Sequence, residues 1–191
     1  MRGMVNPNTA EFYDRYWGGD ESRSYLADKQ LDEIAAYIVR RFGEPPKRVM
    51  DLGGGVSRIA RLAQRAGHKP LVVDFSQAAL DIMRAEGIET ACYDIARWSD
   101  GEPLLCDGVD VVTCTETLEH LEQPAAAVRM AAAHSKRAFF TVPNDCLGPE
   151  ECETHLRKYT LSLLRTLLYG NGWRVVEQRT MHRWLIVECL R

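Results

Sequence analysis

Two glutamates and two histidines are the residues most able to do chemistry, because carboxylate and imidazole both move protons and bind divalent metals. In the stretch "CTETLEHLEQP", Cys114 to Pro124, Glu116, Glu119 and His120 are spaced i, i+3 and i+4, and His155 follows in "ETHLRKYT". If the first stretch is helical, its three side chains share one face. Such a set can act as a general base, or as a mixed ligand set suiting Mn²⁺, Fe²⁺, Co²⁺ or Zn²⁺ better than Mg²⁺. The competing reading is structural, with His120 orienting a loop and His155 merely preceding a helix capped by Thr160.

A second set is acidic. Asp51, Asp74 and Asp94 each close a short apolar run, "VMDL", "LVVD" and "CYD", and Asp51 leads directly into "LGGGVS". Bare backbone between a strand and a helix is a ligand loop. A dinucleotide loop needs G-x-G-x-x-G, but counting from Gly53 meets Gly55 and then Arg58. A P-loop needs a Lys-Ser/Thr pair after the glycines, and none follows. Taken singly, each aspartate reads as a turn or a helix cap. Taken together at the ends of successive strands, they mark the carboxyl edge where open α/β sheets bind ligands.

The elements that must position these residues alternate. After the joint "GEPPKR", Gly43 to Arg48, come "RVMDL", a helix over Val56 to Ala66, "PLVVDF", a helix over Gln77 to Glu86 capped by Ser76, "TACYDI", "GVDVVTC", a helix from Pro124, and "RAFFTV". This predicts a doubly wound, mostly parallel, Rossmann-like sheet. After a helix over Leu161 to Tyr169, "WRVVEQRT" and "RWLIVECLR" lie too close together for a crossover and predict an antiparallel C-terminal hairpin, giving seven strands. Residues 1–43 read as an N-terminal helical arm and residues 44–191 as the core of a single domain. The arm's aromatics, Phe12, Tyr13, Tyr16 and Trp17 with Tyr25, are either a lid or plain packing.

A net charge of −3 gives no general attraction to polyanions, which speaks against a nucleic-acid partner. The six cysteines contain no C-x-x-C pair and read as reduced, packing thiols. There is no signal-like start and no run long enough to span a bilayer, so a cytoplasmic location is expected. His68 and His134 read as surface residues. The block Arg157, Lys158 and Arg165 reads as a solvated helix face rather than an anion site.

The glycine loop and its acids resemble the class I S-adenosylmethionine (SAM)-dependent methyltransferases, whose loop reads acid-x-G-x-G-x-G, with Ser57 standing where the third glycine often stands. The resemblance runs from about Tyr13 to the end and implies SAM as cofactor. It implies that Gly53 and Gly55 allow close approach and that Asp51 organises the ammonium end through water. Asp74 then binds the ribose hydroxyls, Phe75 packs on the adenine, and Asp94 with the Ile95 N–H meets the adenine edge. Thr115 and Tyr13 border the cofactor. "CTETLEHLEQP" further resembles ubiquinone-biosynthesis O-methyltransferases, which methylate phenol and catechol hydroxyls, implying a small hydroxylated substrate with His120, His155 and Glu116 as catalytic residues. Small-RNA 3′-end 2′-O-methyltransferases carry a similar E-x-x-E-H and a later histidine, implying Glu116, Glu119, His120 and His155 as ligands of a divalent metal. The alternatives are an RNA 2′-O-methyltransferase and a non-catalytic SAM-binding subunit.

Overall fold

The structure is a computed structural model that describes residues 6–191. The strands are β1 (Arg48–Leu52), β2 (Lys69–Asp74), β3 (Glu89–Cys92), β4 (Val111–Thr115), β5 (Arg137–Pro143), β6 (Arg174–Met181) and β7 (Trp184–Leu190). They form one sheet in the order β3-β2-β1-β4-β5-β7-β6. The first five strands pair in parallel, and β7 inserts antiparallel between β5 and β6. Only His182 and Arg183 separate β6 from β7, so the expected hairpin is the one connection that fits.

Helices α1 (Ala10–Gly18), α2 (Arg23–Leu26) and α3 (Lys29–Val39) precede the sheet, and α4 (Arg58–Arg65), α5 (Gln77–Ala85), α6 (Pro124–His134) and α7 (Leu161–Gly170) connect its strands. Ser57, Ser76 and Thr160 start α4, α5 and α7 by accepting the N–H three residues on. Pro124 opens α6, where its missing N–H costs nothing. The central strands are apolar on both sides because helices cover both faces. Val49, Val111 and Phe139 pack with Ile34, Ile38 and Phe42, while Met50, Val112 and Phe140 pack with Val128, Leu164 and Trp173.

Two expectations change. The arm is not one unit, since α3 places Leu31, Ile34 and Ile38 in the core while α1 buries none of its residues. The arm's first five residues, 1–5, lie outside the described part. His68 and His134 are buried rather than on the surface. Each satisfies a backbone donor: Lys47 N–H reaches His68 Nδ1 at 3.2 Å and Leu105 N–H reaches His134 Nε2 at 3.1 Å. Among the described residues no helix is long and apolar enough to cross a membrane.

Candidate active site

The chain leaves β1 toward β2 on one side of the sheet and β4 toward β5 on the other, so a crevice opens beyond the carboxyl ends of β1 and β4. A cavity of about 1180 Å³ occupies it, more than the roughly 300–1,000 Å³ typical of one small-ligand site. Asp74, Phe75, Asp94 and Ile95 line it at the ends of β2 and β3. Gly53, Gly55 and Thr115 line it in the middle, and Glu119, His120, His155, Arg183 and Trp184 line it toward β5 and the hairpin.

The glycine turn is forced by its neighbours. Gly53 and Gly55 have φ of +65° and +54°, a region that side chains rarely adopt. A Cβ on Gly53 would meet Thr117 Cγ2 at 2.3 Å, and one on Gly55 would meet the Trp17 ring at 2.6 Å. Asp74 is buried beside this turn and accepts Gly55 N–H and Ser76 N–H, each at 2.8 Å. Burial pushes its carboxyl above the usual range. Asp94 caps the turn Ile95–Arg97 through Ala96 N–H, pairs with Arg97 at 2.9 Å and lines the cavity.

Asp51 lies deeper than the other two aspartates. Its carboxylate is sealed under the loop, accepting Ser57 Oγ–H at 2.5 Å and Thr113 Oγ1–H at 2.6 Å. It braces the turn from below and does not line the large cavity. Burial raises it to about 6. Ser57, in the place of the third glycine, thus serves both as cap for α4 and as donor to Asp51.

The helical face expected for Glu116, Glu119 and His120 does not form. Only Leu118–His120 make a 3₁₀ turn, and Glu116 sits at φ +52°. That reversal turns its carboxylate away from the histidines to accept Thr141 Oγ1–H at 2.9 Å and the Trp184 indole N–H. Burial raises Glu116 to about 7. The remaining trio does converge, with one potential ligand atom each from Glu119, His120 and His155 within 4.8 Å of one another. The imidazoles stand edge to face at 4.7 Å. His120 Nδ1–H donates to Thr154 O at 2.9 Å and His155 Nδ1–H to Leu147 O at 2.8 Å, which leaves both Nε2 atoms as the acceptors. Glu119 is 1% exposed and neither carboxylate oxygen has a partner among the described residues, an arrangement costing about 1–3 kcal/mol. Burial, and then the Glu116 charge, push its carboxyl well up, while burial and then the charge of His155 push His120 down to about 4.

Helix α1 roofs the cavity. Tyr13 meets the Phe75 ring edge-on at 5.7 Å and approaches His120. Asp14 accepts Ser76 Oγ–H at 2.8 Å and Ala78 N–H at 3.0 Å, and Asn8 Nδ2–H donates to Thr154 O at 2.9 Å. Arg157 and Lys158 precede α7 rather than sharing a helix face: Arg157 donates to the Leu121 and Glu122 carbonyls and Lys158 pairs with Glu150 and Glu151. Sequence reasoning missed Asn8, Asp14, Thr117, Arg183 and Trp184, which the topology brings to the crevice from distant parts of the chain.

The family model described as "Methyltransferase domain" matches residues 21–178. Ubiquinone biosynthesis O-methyltransferase of Hahella chejuensis is 32% identical over 103 residues, covering 52% of this chain and 43% of that protein. The Bordetella pertussis protein of the same name is 36% identical over 93 residues, covering 47% of this chain and 39% of its own. The chain therefore spans about half the length, or less, of these relatives. Magnesium protoporphyrin IX methyltransferase of Synechocystis, solved with bound SAH, superposes with a TM-score of 0.69 at 19% identity, covering 97% of this chain and 96% of that one. A putative methyltransferase in complex with the Trm112 activator of Haloferax volcanii gives a TM-score of 0.75 at 15% identity, covering 93% and 96%.

Proposed function

The chain belongs to the class I SAM-dependent methyltransferase family, and we propose that it transfers the methyl group of SAM to a hydroxyl of a small molecule. The observation that carries the choice of hydroxyl is the pair of imidazoles whose Nδ1–H groups are tied to backbone carbonyls, leaving both Nε2 atoms as acceptors on the cavity wall. In the reaction the acceptor oxygen displaces the sulfonium sulfur in line, the O–C bond forming as the C–S bond breaks, and the hydroxyl proton passes to Nε2 of His155, since burial leaves His120, at about 4, the weaker base. A nitrogen or carboxylate acceptor would need no such base. Alignment and exclusion of water supply most of the acceleration, on the order of 7–11 kcal/mol.

The cofactor lies along the first half of the cavity in this reading, with Asp74 at its ribose, Phe75, Asp94 and Ile95 at its adenine, and Gly53, Gly55, Thr115 and Tyr13 around its methionine end. Helix α1 acts as the lid. A second use of the same three side chains would replace the imidazole base: Glu119, His120 and His155 would hold a divalent metal ion through those Nε2 atoms, since the orphaned carboxylate and the two imidazoles oriented by backbone carbonyls fit a borderline cation. When bound, such an ion supplies Lewis acidity that lowers the pKa of the acceptor hydroxyl. Glu116 belongs to the wall of the acceptor chamber and not to this ligand set.

Methyl-labelled SAM offered with catechols and, separately, with an RNA pool tests the reading. Label is expected in the catechols alone, and His155→Ala is expected to lose transfer while still binding SAH. Label in RNA would replace the small-molecule reading. SAH binding with no transfer to any phenol would leave a non-catalytic cofactor-binding protein. Elemental analysis before and after chelation reads the metal separately from turnover.

A further inference from the structure

The rim of the acceptor half carries a cation with no hydrogen-bonded partner for its side chain among the described residues. Arg41, Arg48, Arg58 and Arg61 each hold a carboxylate, and Arg157 is tied to two carbonyls. Arg183 lines the cavity, yet no carboxylate or carbonyl among the described residues accepts from its guanidinium. One neighbour orients it. The guanidinium carbon lies 4.8 Å from the centroid of the Trp184 ring, close enough for a cation–π contact. The Trp184 indole is in turn pinned by Glu116. The Arg183 carbonyl accepts Asn144 N–H at 2.8 Å, and the Cys146 thiol lies 3.5 Å from the same oxygen. The Arg183 backbone is thereby joined to the start of the loop that carries His155.

The acids facing this end do not neutralise it. Glu116 is already bonded to Thr141 and Trp184, and burial raises its carboxyl against the smaller opposing pull of the Arg183 charge, so it faces Arg183 without a hydrogen bond to it. Asp28 caps α3 through Gln30 N–H. We propose that Arg183 recognises an anionic group on the acceptor, so that the preferred substrates are hydroxylated molecules bearing a carboxylate. A guanidinium binds a planar carboxylate through two parallel hydrogen bonds. A single arginine beside Glu116 and Asp28 suits a monoanion better than a phosphate dianion, which those acids would repel more strongly. This inference rests on the proposal that this half of the cavity holds the acceptor.

Calorimetry on the SAH-loaded protein tests it with catechol, 3,4-dihydroxybenzoate and phenyl phosphate. The carboxylated catechol is expected to bind roughly 10- to 100-fold more tightly than catechol, as charge-assisted hydrogen bonds are worth. Arg183→Gln should abolish that difference, and Arg183→Lys should retain part of it. Arg183 stands at a hairpin tip, so both variants are expected to melt as the parent does. No carboxylate advantage, or an advantage that survives Arg183→Gln, overturns the proposal. Tighter binding of phenyl phosphate than of the benzoate overturns the carboxylate assignment. Failure of SAH itself to bind overturns the cofactor reading beneath it.

Discussion

The two halves of the crevice are built on opposite terms. Around β1, β2 and β3 every acid is bonded: Asp51 by two hydroxyls, Asp74 by two backbone N–H groups, Asp94 by a cap and an arginine. Left-handed backbone there falls on glycine, at Gly53 and Gly55. Around β4, β5 and the hairpin the terms reverse. Glu119 is buried with both oxygens orphaned, and all the non-glycine residues with positive φ among the described ones, Glu116, Asp145 and His182, lie on this side. One half is a relaxed cradle that would bind a constant ligand. The other stores unfavourable burial and backbone strain, which proteins keep where a site must act on what it binds.

Breaking the cradle should give the largest effect. Asp74→Ala removes a buried charged acceptor and the anchor of Gly55, and is expected to weaken SAH binding by about 1.5–3 kcal/mol, read by calorimetry. Unchanged affinity in a folded variant would remove Asp74 from the ribose. On the other side the sign should invert. Glu119→Met keeps the length of the side chain and deletes the orphaned carboxylate, so the chelated protein is expected to gain about 1–3 kcal/mol in chemical denaturation. A loss of stability would mean that Glu119 has partners and that the contrast between the halves is false.

A smaller effect lies in the pH dependence. Glu116 rises from the usual 4.5 to about 7 on folding. The folded chain then binds the extra proton between those values, so its contribution to stability is present below pH 4.5 and is lost as pH rises to 7. Asp51, at about 6, does the same over a narrower range. Glu116→Gln should therefore flatten the decline in stability most between pH 6 and 7, whereas Asp51→Asn should flatten it less there and more between about pH 4 and 6. Equal slopes in the parent and the Glu116 variant would show that Glu116 is solvated.

The cradle was legible because its signals are local. Strand-end acids, glycines needing positive φ, and Ser57, Ser76 and Thr160 as caps depend on neighbours within a few residues. The burial of Asp51 was not legible because one of the hydroxyls that bond it comes from Thr113, on another strand. The acceptor half was read through helical spacing that never forms. Thr115 and Thr117 flank Glu116, and β-branched neighbours disfavour a helix there, a signal present in the sequence but outweighed by the E-x-x-E-H pattern. Arg183, Trp184 and Asn8 carried no local signal. They reach the site only because β7 pairs with β5, setting Trp184 opposite Pro143, and because α1 crosses both halves.

Helix α1 supplies the finest test of the comparison, since it is fastened to each half separately. Asp14 holds the start of α5 through Ser76 and Ala78, on the cofactor side, and Asn8 holds Thr154, on the acceptor side. The bonds to Ser76 and Ala78 hold the Asp14 carboxyl below its usual range, and a carboxylate near a helix N-terminus is worth about 0.3–1 kcal/mol when exposed. Asp14→Asn should then speed SAH release by roughly two- to fivefold in stopped flow, with little change in the melting temperature. Asn8→Ala should leave SAH release nearly as it was and weaken retention of the acceptor instead. If both variants alter SAH release equally, the lid moves as one piece and the halves are not gated independently. If neither does, α1 is packing and the cavity opens elsewhere.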